Sequence, residues 1–129
     1  APEIRALESD SRIQVTGTVP DVRPYIRHAS VVVAPLRVAR GVQNKVLEAM
    51  ACAKPLVVSD AAALGIDAVD GEHFVLARES AGFVAAVLAL ISDPARAHAL
   101  GLAARARVLE RFSWDALLSR IDPLLERPI

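Results

Sequence analysis

Four short runs of β-branched and apolar residues stand out along the chain: IQVT (13–16), VVVA (31–34), LVVS (56–59) and HFVLA (73–77). Each is bounded by Gly, Pro, Ser or Asp. The middle two are continuously apolar, which is the pattern of a strand buried on both faces of a parallel sheet. Helical spacing fills the intervals. PDVRPYIRHA (20–29) sets Val22, Tyr25, Ile26 and Ala29 on one stripe, and QNKVLEAMAC (43–52) turns Val46, Ala49 and Met50 inward. Strands alternating with helices predict a Rossmann-like, doubly wound parallel α/β sheet with right-handed crossovers.

Beyond Ala77 the pattern becomes helical only. SAGFVAAVLALIS (80–92) predicts a helix that stops at Asp93-Pro94, because proline disfavours helix in the residue before it. ARAHALGLAARARVLERF (95–112) predicts a second helix, with Ala99, Leu102, Ala106 and Leu109 on its inner face. Ser113 is placed to N-cap a last helix, WDALLSRIDPLLERPI, anchored by Trp114 and broken or kinked at Pro123.

The 129 residues suffice for one core, and 53% hydrophobic against 23% charged residues is a globular balance. Fifteen basic and fifteen acidic side chains cancel, so the chain lacks the positive excess of a nucleic-acid binder. The charges are unevenly spread. Between Val22 and Leu47 lie Arg23, Arg27, Arg37, Arg40 and Lys45, with no acid among them. A single cysteine, Cys52, excludes an internal disulfide and reads as a buried small residue. The first residues, APEIRALESDSR, are polar, and no apolar stretch approaches the roughly 18 residues of a membrane span. The expected location is the cytoplasm, with peripheral attachment to the inner membrane face open to the longer protein.

In open α/β sheets ligands bind outside the carboxyl ends of the strands. Arg37, Arg40 and Lys45 fall on or beside the loop that follows VVVA, so the basic run and the expected ligand edge coincide. A helix N-terminus offers free N–H groups and partial positive charge to a phosphate, and Gly41 just ahead of one allows close backbone approach. Glu48 follows Asn44 by four residues and shares its face. A carboxylate there can accept hydrogen bonds from two vicinal hydroxyls, as in a ribose. Amides for phosphate with a carboxylate about a turn further in fit a nucleoside diphosphate.

LEAMACAKPLVVS resembles the second half of the hallmark of retaining GT-B glycosyltransferases of the GT4 (group 1) type, two glutamates in E-x7-E followed by AMA-x-x-x-P-V-V. The longer block VTGTVPDVRPYIRHASVVVAPLRVARGVQNKVLEAMA is similar to sugar transferases of bacterial exopolysaccharide systems. The resemblance implies that Glu48 binds the donor ribose and that Gly41, Val42 and Gln43 offer backbone N–H groups to the diphosphate or sugar. Asn44 and Lys45 complete that part of the site. Val19 and Asp21 would meet the nucleobase, largely through main chain. The family's first glutamate falls at position 40, where this chain has Arg40, suited to a phosphate or an acidic sugar.

The resemblance further implies a partial C-terminal nucleotide-sugar-binding domain over residues 1–129. The domain's first strands would lie between IQVT and VVVA and are not in this sequence. The expected activity is metal-independent, retaining transfer of a sugar from a nucleotide-sugar donor to a polysaccharide or lipid-linked acceptor. No cofactor and no metal are expected, and no Asp-x-Asp motif or His/Cys cluster is present in the sequence. Taken alone the chain is expected to be inactive, and either to dimerise through an exposed sheet edge or to pair IQVT directly with VVVA. Two other readings stay open: a nucleotide-sugar 2-epimerase of GT-B fold, and a non-catalytic α/β ligand-binding or interaction module.

Overall fold

The computed structural model describes residues 6–17, 19–38, 41 and 43–111. After a 3₁₀ turn at Ala6–Ser9 come α1 (Arg23–His28), β1 (Val32–Ala34), α2 (Asn44–Ala51), β2 (Leu56–Val58) and α3 (Asp60–Ala63). β3 (Val75–Leu76), α4 (Ser80–Ser92) and α5 (Pro94–Arg111) complete the order. The strands form one parallel sheet, β1-β2-β3, with Val33 opposite Val57 and Val57 opposite Val75. The expected α/β architecture is present.

Period-two alternation divides the core between the two faces of β2, all three of whose residues are fully buried. Leu56 and Val58 join Ile26 of α1 and Val46, Ala49 and Met50 of α2 on one face. Val57 joins Ala77, Leu90 of α4, Ala97 and Leu100 on the other. The stripe on α2 therefore packs as its spacing predicts. On α1 only Ile26 is buried, and Tyr25 is half exposed.

The junction at Asp93 serves two helices. Its backbone N–H bonds Leu90 at the end of α4, and its carboxylate accepts the Arg96 N–H at 3.1 Å in the first turn of α5. Pro94 stands at the first helical position, where no N–H is needed. From there α5 leaves at 105° to α4. It contributes Ala97 and Leu100 to one cluster and Ala104 and Val108 to the other. Between them Gly101 meets the chain just ahead of β2. The helix thus crosses the amino end of the sheet and leaves the carboxyl ends open.

Three expectations are corrected. IQVT forms no strand: the Ile13 N–H bonds the Asp10 carbonyl and the Val15 N–H bonds the Glu8 carboxylate at 2.8 Å, so donors are satisfied locally. A strand needs a neighbouring ladder, and IQVT does not pair with β1, whose outer edge is free among the described residues. HFVLA shortens to Val75–Leu76. Phe74 only bridges Asp70, and His73 is buried with Nδ1 accepting the Val69 N–H at 2.9 Å.

On α5 the buried stripe is Ala97, Leu100, Gly101, Ala104 and Val108, while Leu102 and Leu109 are 49% and 54% exposed. Both stripes have helical spacing; the small residues win because they permit close approach to α2. The last helix, with Ser113, Trp114 and Pro123, lies outside the described residues.

Candidate functional site

The carboxyl end of β1 runs into Pro35 and Leu36, and the chain returns through Gly41 to α2. Gly41 has φ +74°, a left-handed conformation that glycine adopts without a Cβ penalty. Gln43 precedes α2 in extended conformation, and among the described residues no side chain caps that helix. Its first N–H groups have no intrahelical partner, and the residues at that end border a cleft of about 660 Å³. Gln43, Asn44 and Lys45 line this cleft with Val22 and Ile26 of the α1 segment and the open side of β1.

Glu48 lies one turn further along α2. It is partly buried, and its Oε2 is shielded from water with no hydrogen-bond donor in reach. A carboxylate oxygen held this way is costly unless something supplies the donor. Cys52 follows Glu48 by one turn and is partly buried against the same core.

Asp21 and Arg23 form a fork: Nε to Oδ1 at 3.0 Å and Nη2 to Oδ2 at 3.0 Å, with the Arg23 backbone N–H also donating to Oδ1 at 3.0 Å. The Arg23 side-chain hydrogen bond, helped by that backbone N–H, holds the Asp21 carboxyl below the ordinary aspartate range. The same bond raises Arg23, with the charge of Asp21 acting in the same sense. The carboxylate of Asp21 is thus engaged locally. Val19 is partly buried two residues before it.

The structure therefore gathers Gln43, Asn44 and Lys45 at one cleft, while Glu48, a turn further along the same helix, is not among the residues that line it. Arg40 and Val42 lie outside the described residues. The basic run does not act as one cluster. Arg37 lines a second depression of about 900 Å³ on the α4 side of the carboxyl edge, and Arg23 is bound to Asp21. That second depression also holds Asp60 and Arg78, an ion pair at 2.9 Å. Sequence reasoning passed over this pair, although each residue closely follows a strand of the sheet. Among the described residues no group of three His, Cys, Asp or Glu is placed to hold a metal.

The profile of the family described as glycosyl transferases group 1 matches residues 1–93. The chain belongs to that family. Alpha-maltose-1-phosphate synthase of Mycolicibacterium smegmatis is 35% identical over 102 residues, which is 72% of this chain and 26% of that protein. The lipopolysaccharide core biosynthesis mannosyltransferase LpcC of Rhizobium leguminosarum bv. viciae is 34% identical over 121 residues, 92% of this chain and 34% of that protein. The chain thus spans about a third or less of the length of these curated relatives. The structure of Anabaena HepE in complex with UDP and glucose superimposes with a TM-score of 0.84 at 21% identity, covering 96% of this chain and 34% of that one. That likeness is one of fold, the α/β fold of the GT-B C-terminal domain. Among the described residues no single helix is long and apolar enough to cross a membrane.

Proposed function

We propose that this chain is the donor-binding part of a nucleotide-sugar-dependent glycosyltransferase. The observation that carries the reading is the Glu48 carboxylate, whose Oε2 is shielded from water and has no donor. Vicinal ribose hydroxyls are donors of the right number and spacing for it. One turn ahead, the uncapped start of α2 behind Gly41 offers backbone N–H groups to a diphosphate. The fold likeness to a protein that holds UDP and glucose, and relatives named as a synthase and a mannosyltransferase, agree with this assignment.

In this reading Gln43, Asn44 and Lys45, together with Arg40 and Val42, face the phosphates and the donor sugar. The main chain from Val19 to Asp21 faces the base. Transfer retains anomeric configuration, and the charge of the leaving diphosphate is met by helix amides and basic side chains rather than by a metal. A polysaccharide or lipid-linked acceptor is held by parts of the longer protein, because reacting groups must meet across a cleft in near-attack geometry. Exopolysaccharide assembly in the cytoplasm is the setting the sequence resemblance favours.

Calorimetric titration of the chain with UDP, GDP and ADP tests the reading. Saturable binding of at least one is expected, and absence of binding by all three would overturn it.

A further inference from the structure

The cleft at the start of α2 and the depression on the α4 side share a wall. Val33, Pro35 and Leu36, at the exit of β1, line both. The ladder to β2 ends at Ala34, opposite Val58, and Pro35 has no N–H with which to extend it. Ser59, the first residue after β2, holds this exit instead. Its backbone N–H donates to the Ala34 carbonyl at 3.1 Å, and its hydroxyl donates to the Leu36 carbonyl at 2.6 Å. One residue thus pins the chain on both sides of Pro35. The same hydroxyl oxygen accepts the Ala62 N–H at 3.1 Å and so caps α3. A cap needs only an acceptor, a role that Asn, Asp or Gly at this position also suits. The bond to Leu36 needs a donor, and the one proton of a serine hydroxyl supplies it.

Resting on the nucleotide-site reading, we propose that Ser59 is a positioning residue for the donor site: by stapling the Ala34 and Leu36 carbonyls, it fixes the wall that bounds the cleft with Gln43, Asn44 and Lys45. Ser59 lines the α4-side depression and is not among the residues that line the cleft. It therefore acts through Leu36 and needs no bond to the nucleotide. A wall held before the ligand arrives does not have to be ordered by it, and the cost of that ordering stays out of the affinity.

The test is calorimetric titration with whichever of UDP, GDP and ADP binds most tightly. It is run on the intact chain and on Ser59→Ala, Ser59→Gly and Ser59→Thr, below every melting temperature and with a thermal melt for each. Ser59→Ala should lower affinity about five- to tenfold, the net worth of one neutral hydrogen bond. Ser59→Thr keeps both the proton and the accepting oxygen, and its affinity should return to within about twofold of the wild type. Ser59→Gly separates the staple from the cap, because glycine is nearly as good a cap and has no proton to give. Its melting temperature should stay close to that of the wild type while its affinity falls as in Ser59→Ala. Affinity that simply follows the melting temperature across the variants would overturn the proposal and leave Ser59 a helix cap. If the wild type binds none of the three nucleotides, the nucleotide-site reading fails and the role of Ser59 fails with it. If the wild type binds and Ser59→Ala binds as tightly, only the role of Ser59 fails.

Discussion

Gly101 of α5 lies against the main-chain carbonyl of Ala53, and a β-carbon at position 101 would collide with that oxygen. The obstacle is backbone on a tightly turned segment, so it cannot swing aside as a long side chain could. Gly101→Ala should therefore destabilise the fold by about 2–3 kcal/mol, despite the better helix propensity of alanine. Urea unfolding of the two proteins would read this directly, and an unchanged midpoint would show that α5 does not pack as described.

Ala53 itself closes α2 in a left-handed conformation, φ 58°, with its N–H bonded to the Met50 carbonyl and the Lys54 N–H to that of Ala49. This is the hydrogen-bond pattern of a Schellman cap, whose left-handed position usually holds glycine. Ala53→Gly should raise stability by about 0.5–1 kcal/mol, since relief of the Cβ clash exceeds the added chain entropy. Denaturant unfolding is the measurement, and a loss of stability would refute the strain.

These two contacts show where the sequence was legible. Val46, Ala49 and Met50 were readable because their spacing makes one inward stripe on α2, and VVVA and LVVS because short, almost wholly apolar runs suit the strands of a parallel sheet. On α5 two stripes compete, and hydrophobicity favours the wrong one. Leu102 and Leu109 are larger than Gly101 and Ala104, but only the small pair lets the helix approach Ala53 and α2. IQVT has a strand's composition and no ladder to join. The placement of the Gly41 turn ahead of α2, and of Glu48 on that helix, was readable from motif and spacing. The separation of Arg37 from Lys45 was not, since it depends on which face of the sheet each loop residue meets.

Glu48→Gln should weaken binding of the preferred nucleoside diphosphate by about 1.5–3 kcal/mol, through loss of charge-assisted hydrogen bonds. The fold should be retained with an equal or higher melting temperature, because a shielded, donorless charge has been removed. Calorimetry and thermal melting together decide this. Unchanged affinity would remove Glu48 from the site.

Asp21 gives a pH signature. Arg23 holds its carboxyl below the ordinary value, near 3.8. A group depressed in the folded state adds stability above its unfolded value and loses it as pH falls through the folded one. The stability gap between the wild type and Asp21→Asn should therefore be present at neutral pH and shrink as pH drops below that ordinary value. Urea midpoints across an acid series would show it; a gap constant with pH would contradict the pairing.

The outer edge of β1 bears on association. Val32 donates to Pro55 and Ala34 accepts from Ser59, so period two turns the N–H and C=O of Val33 away from β2. Val33 is 41% exposed. We expect the chain to self-associate through this edge, and Val33→Pro, which removes the outward donor, to give a monomer. Light scattering at matched concentrations tests it, and a wild-type chain that stays monomeric would dismiss the edge as an interface.

The passage of α5 from one face of the sheet to the other has a consequence for how the domain comes apart. Ala97 and Leu100 belong to one cluster, and Ala104 and Val108 to the other. A single helix is thus shared between the two layers. Neither layer can open while α5 stays in register, and releasing α5 uncovers both at once. Slow amide exchange in α2, β2 and α4 should accordingly follow a common opening event, making the two layers one cooperative unit.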